Sequence, residues 1–115
     1  MIRHIVMWQV RGDTPAERLA ASNFIKERFE SLRGRIPGMH HLEVGLGHSF
    51  DCACDAVLVT EFDSQEALDG YAFHPDHLRV RNELGDLRTA RFQVDYEAYP
   101  DANPNHPAEH SYAKA

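Results

Sequence analysis

Hydrophobic and polar residues alternate over residues 2–10, with Ile2, His4, Val6, Trp8 and Val10 on one face and Arg3, Ile5, Met7 and Gln9 on the other. A period of two predicts a β-strand, and it sets His4 on the more apolar face beside Val6. The stretch "TPAE" opens a helix. Thr14 can cap it, Pro15 suits its first position, and Glu17 completes a capping box. Ile25, Phe29, Leu32 and Ile36 recur at helical spacing, and Gly34, Pro37 and Gly38 close the segment. Leu42, Val44 and Leu46 mark a second strand near residues 40–46, followed by the loop "GHSFDCACD". The apolar run "AVLVTEF", residues 56–62, predicts a third strand suited to the middle of a sheet. Asp63 or Ser64 caps a second helix that reaches Phe73. Pro75 interrupts it, because the residue before a proline is pushed out of helical geometry. An amphipathic segment follows from Leu78 to near Leu87. "RFQVDYEAY" supplies the fourth strand, with Phe92, Val94, Tyr96 and Ala98 expected to alternate inward.

The resulting order, β-α-β-β-α-β, is the ferredoxin-like split arrangement of an α+β domain. Four antiparallel strands with helices on one face leave the other face bare, which a lone domain rarely tolerates in water. The pattern therefore predicts a homodimer formed through the sheet face. Residues 1–99 form the one folded domain. The polar, proline-rich residues 100–115 form a tail that is either mobile or laid on a partner.

Composition narrows the class. Hydrophobic residues at 43% and charged residues at 26% are globular proportions, and no apolar run nears the ~20 residues that span a bilayer. A net charge of −6 with scattered Lys and Arg argues against a nucleic-acid partner. The first residues show no secretory cleavage pattern. Cys52 and Cys54, one residue apart, make no disulfide framework. A cytoplasmic protein without membrane association is the expectation.

The densest chemistry lies in "YAFHPDHLRV", residues 71–80. Pro75 breaks the helix at His74 and starts a new helical turn that carries His77. An imidazole there feels the positive end of the helix dipole, which favours its neutral form, the form a general base needs near pH 7. Tyr71 sits one turn before the break, where its phenol could hold a substrate carbonyl or an enolate-like oxygen. His4 could join them from the first strand. Against this stands the plainer alternative that these are packing and capping groups. Eight histidines and the His48…Cys52-x-Cys54 loop raise zinc, but Cys-x-Cys is not the usual ligand spacing and no second pair follows. No metal site is expected. His40, His41, His106 and His110 are placed toward solvent. "GLG" at residues 45–47 opens no helix, and no serine sits on an elbow-like turn.

The segments "HIVMWQV", "EFDSQEALDGY" and "YAFHPDH" resemble the stress-responsive A/B barrel (Dabb) family over about residues 2–99. That resemblance implies a dimeric α/β barrel built from ferredoxin-like halves. Within the family, the plant polyketide cyclase branch, typified by olivetolic acid cyclase, closes a ring by aldol condensation without a cofactor. By its Tyr-x-x-His-Pro-x-His motif the resemblance implies His77 as base, Tyr71 as the orienting hydroxyl and His4 as a pocket-lining partner. Trp8 and His74 complete the expected substrate-contacting set, with His74 structural at the kink. The tail after Tyr99 and the "HSFDCAC" loop depart from the family pattern. Three functions follow as expectations: a cofactor-independent cyclase or lyase on a small carbonyl compound, a non-catalytic ligand-binding or stress-protective barrel, and a cofactor-free monooxygenase.

Overall fold

The structure, a computed structural model, describes residues 1–99; the expected tail at 100–115, with His106 and His110, lies outside the described residues. Seven elements follow one another: β1 (Ile2–Val10), α1 (Pro15–Glu30), β2 (Met39–Leu46), β3 (Ala56–Phe62), α2 (Gln65–Phe73), α3 (Pro75–Leu84) and β4 (Arg88–Glu97). The strands form one antiparallel sheet in the order β2-β3-β1-β4, so the first strand is central and the last is an edge. The helices cover one face. This is the expected ferredoxin-like α+β fold, with its second helix divided in two.

The helix starts follow their caps. Thr14 Oγ1 accepts the Glu17 amide at 3.1 Å, while the Glu17 carboxylate accepts the Asp13 amide at 3.2 Å, one residue earlier than a reciprocal capping box. Ser64 caps α2 by accepting the Ala67 amide. The expected helical run through Ile36 ends sooner, at Glu30. Leu32 and Ile36 remain buried, but in turns. Gly34 and Gly38 turn the chain there at φ 75° and 77°, a left-handed region that favours glycine. At Gly38 a Cβ would also come within 2.7 Å of the Ala67 Cβ.

Under the helices, Val6, Trp8, Ile25, Phe29, Leu32, Leu58, Phe62, Val80 and Leu84 are almost fully buried. Trp8 and Phe29 stack at 5.1 Å between ring centroids. Thr60 is buried among them because its hydroxyl donates to the His4 carbonyl.

The fourth strand differs from its expected form in two ways. It begins at Arg88, three residues early, and its apolar alternates face away from the helices. Phe92 and Val94 are 51% and 53% exposed, and Tyr96 is exposed too. Pairing with β1 sets Met7 opposite Phe92 and Ile5 opposite Val94, so these residues extend the bare face. The helix-covered side of β4 instead carries Arg91, Gln93 and Asp95, opposite Trp8, Val6 and His4. Only Ala98 of the expected inward set is buried.

Candidate functional site

The break expected at Pro75 shapes the site. His74 ends α2 and starts α3 with φ −64° and ψ 136°, an extended conformation that redirects the chain. Its Nδ1 accepts the Asp76 amide at 3.1 Å and so caps α3. His74 therefore serves the kink, and it does not line the cavity described next.

Between β1 and β4 below and α2 and α3 above lies a cavity of about 540 Å³, within the range of small-molecule sites. His4, Trp8, Tyr71, His77, Arg88 and Arg91 line it, with Val6, Phe29 and Leu58 as apolar floor. A second recess of about 190 Å³ shares His4, Tyr71, His77 and Arg91. Four of the five residues expected from the sequence thus meet in one place.

Tyr71 is central. Its ring lies 4.3 Å from that of His77, 5.3 Å from Phe62 and 6.2 Å, edge-on, from His4. It is 3% exposed, and among the described residues its hydroxyl has no hydrogen-bond partner. The same holds for Nε1 of Trp8, 1% exposed. An unpaired buried donor costs about 1–3 kcal/mol, so two of them on one cavity wall need a reason beyond packing. Burial pushes the Tyr71 phenol well up, which keeps it neutral and able to donate.

His77 is the third residue of α3 and partly buried. Its Nδ1 lies 3.2 Å from the Ala72 carbonyl, which can only accept, so Nδ1 carries the proton and Nε2 keeps its lone pair. The imidazole pKa falls below its ordinary value, first through burial. The bond to Ala72 opposes that fall, while Arg81, Arg88 and His4 reinforce it. The neutral form is thus favoured, but burial rather than the helix dipole leads.

His4 donates from Nδ1 to Asp95 Oδ1 at 2.6 Å, and Asp95 Oδ2 accepts from the Gln93 amide at 2.8 Å. The carboxylate holds the ring in place through Nδ1. Asp95, Arg81, Arg88 and Arg91 were not singled out from the sequence. Asp95 becomes visible only through the pairing of His4 with Asp95 across β1 and β4. Among the described residues, no three His, Cys, Asp or Glu side chains are grouped to hold a metal ion. Cys52 and Cys54 are free thiols in the loop after β2 and do not line this cavity. No helix among the described residues is long and apolar enough to cross a membrane.

Comparison with known proteins places the fold and the family. A dimeric protein of unknown function and ferredoxin-like fold from Bacteroides fragilis superposes with a TM-score of 0.75 at 34% identity, over 84% of this chain and 95% of that one. A Dabb family protein with a ferredoxin-like fold from Mesorhizobium loti gives 0.67 at 26% identity, over 84% and 95%. A putative antibiotic biosynthesis monooxygenase from Nitrosomonas europaea gives 0.62 at 21% identity, over 86% and 99%, a likeness of fold alone. No curated protein sequence matches the chain significantly. The family model of the stress responsive A/B barrel domain matches residues 2–98, the whole span from β1 to the end of β4, and the chain belongs to the Dabb family.

Proposed function

We propose that this chain is a cofactor-independent enzyme of the cyclase or lyase type, acting on a small carbonyl compound held between the sheet and α2–α3. The observation that carries this is the convergence of Tyr71, His77 and His4 on one cavity, with the Tyr71 hydroxyl buried and unpartnered. His77 takes a proton from carbon beside the carbonyl through Nε2, its neutral form being favoured at pH 7. Tyr71 donates to the carbonyl oxygen as negative charge develops there. His4, held by Asp95, positions or relays a proton from the strand side. A linear polyketide-like thioester, whose carbonyls alternate with acidic carbons, suits this chemistry and the plant cyclase-like motif.

Dimerisation completes the proposal. The bare face with Met7, Phe92, Val94 and Tyr96 pairs with its copy, as apolar surface of this kind is rarely left in water. The relatives described as dimeric support this. The two free thiols fit a reducing compartment such as the cytoplasm.

Purified protein screened against β-polyketide thioesters and other small carbonyl compounds tests the reading. Turnover by the wild type, lowered about 10²- to 10⁴-fold in His77→Ala, is expected. Binding without turnover would favour the ligand-binding alternative, and equal rates in both proteins would remove His77 from the role of base.

A further inference from the structure

The charge of the cavity runs against that of the chain. Acidic residues outnumber Lys and Arg by 18 to 12, yet among the described residues no Asp or Glu lines the cavity of about 540 Å³, whereas Arg81, Arg88 and Arg91 all do; Asp69 and Asp95 line the adjoining recess. Five of the seven other arginines meet carboxylates, Arg3 with Glu61, Arg11 with Asp86, Arg28 with Glu27 and Glu83, Arg33 with Glu30, and Arg79 with Glu83, while Arg18 and Arg35 do not. Among the described residues, the three cavity arginines have no such partner.

Their gathering depends on a backbone irregularity. Arg88 and Arg91 are three apart, so strict alternation would send them to opposite faces. The β1–β4 register shifts between Gln9 and Val10, with Val10 opposite Arg88 and Trp8 opposite Arg91, and both then line the cavity. Arg88 is partly buried, its guanidinium carbon 5.7 Å from the Trp8 ring centroid. Burial lowers its pKa first, and the exposed Arg81 and Arg91 add to the fall. Beside it lie the unpartnered, buried donors of Trp8 and Tyr71.

We infer that the cavity takes an acidic small molecule, its carboxylate or phosphate oxygens held by Arg88 between Arg81 and Arg91, and its apolar body over Trp8. An oxyanion offsets the repulsion that Arg88 meets from Arg81 and Arg91 and matches its planar fork. Val6, Phe29 and Leu58 suit an acyl or aryl portion. This deepens the small-molecule reading of the same cavity and rests on it, without requiring turnover.

Trp8 is the only tryptophan, so its fluorescence reports occupancy directly. The full chain is titrated with hexanoate, hexyl phosphate and the neutral hexanamide, in wild type, Arg88→Gln and Arg88→Lys. At least one anion is expected to bind about tenfold or more tighter than the amide, as a charge-assisted bond gives. The preference should collapse in Arg88→Gln and weaken with added salt. The stronger of the two anions identifies carboxylate or phosphate as the natural head group. Equal affinity for hexanamide would overturn the inference while leaving a neutral-ligand site in place. Failure of every probe to shift Trp8 would overturn it too, whereas turnover in the carbonyl screen would still stand. Should Arg88→Gln unfold by circular dichroism, Arg88→Lys decides: weaker anion binding supports the inference, and unchanged binding overturns it. Anion preference persisting in a His77→Ala protein that turns nothing over supports this inference apart from catalysis.

Discussion

The helix-covered face of the sheet has two halves of opposite character. Over β2 and β3, α1 closes on an apolar core of Ile25, Leu32, Ile36, Leu42 and Val44. Toward the β4 edge, α2 and α3 close instead on histidines, a tyrosine and three arginines around open space. One sheet serves both, and Val6 and Leu58 are shared, packing into the core and flooring the cavity. Stability and chemistry are separable here: the first half can hold the fold while the second keeps unpaired donors and arginines without carboxylate partners among the described residues. A uniform core would not bury such donors without compensation.

Substitutions can break that separation or sharpen it. The largest effect belongs to the apolar half. Ile25→Ala should cost about 2–5 kcal/mol in urea denaturation, with hexanoate affinity of the folded fraction unchanged. Next comes the bare face, where Val94→Asp should weaken the dimer by about 2 kcal/mol, roughly thirtyfold, as read by light scattering across dilution. A dimer indifferent to that charge would place the interface elsewhere.

In the cavity half, Tyr71→Phe removes a hydroxyl that has no partner. Stability should stay within about 1 kcal/mol of wild type, or rise, while any turnover falls. A large loss of stability would mean that the hydroxyl is held by a structural bond. The smallest effect concerns pH. The folded pKa of His77 lies below its unfolded value, so the unfolded chain takes up the proton first as pH falls below about 6.5. His77 stabilises fully above that pH, and this share is lost as pH falls toward the folded pKa. Thermal melts from pH 7 to 5 should therefore fall less steeply in His77→Gln than in wild type.

Much of the fold was legible because local rules and tertiary structure agree. The alternation of residues 2–10, the Thr14–Glu17 cap and the break at Pro75 each state a geometry in a few adjacent residues. Tyr71 and His77 could be paired for the same reason, since the break between them is local. β4 misled because its apolar alternates were assigned to the core, whereas an open sheet face draws apolar residues equally when a copy is to cover it. Asp95 and the arginines were illegible for a different reason. His4 finds Asp95 only through strand register, and Arg88 joins Arg91 only through a register shift, neither of which is written in residue order.

Abstraction of a proton beside a carbonyl is the step on which the functional account turns, and deuterium uptake isolates it from ring closure. Carbonyl compounds that bind, followed by NMR in D₂O, should exchange their α-hydrogens faster with wild-type protein than in buffer. His77→Ala should return the rate to within a few-fold of buffer, and Tyr71→Phe should lower it while leaving His77 intact. Exchange that is equally fast in wild type and His77→Ala would contradict the assignment of His77 as the base.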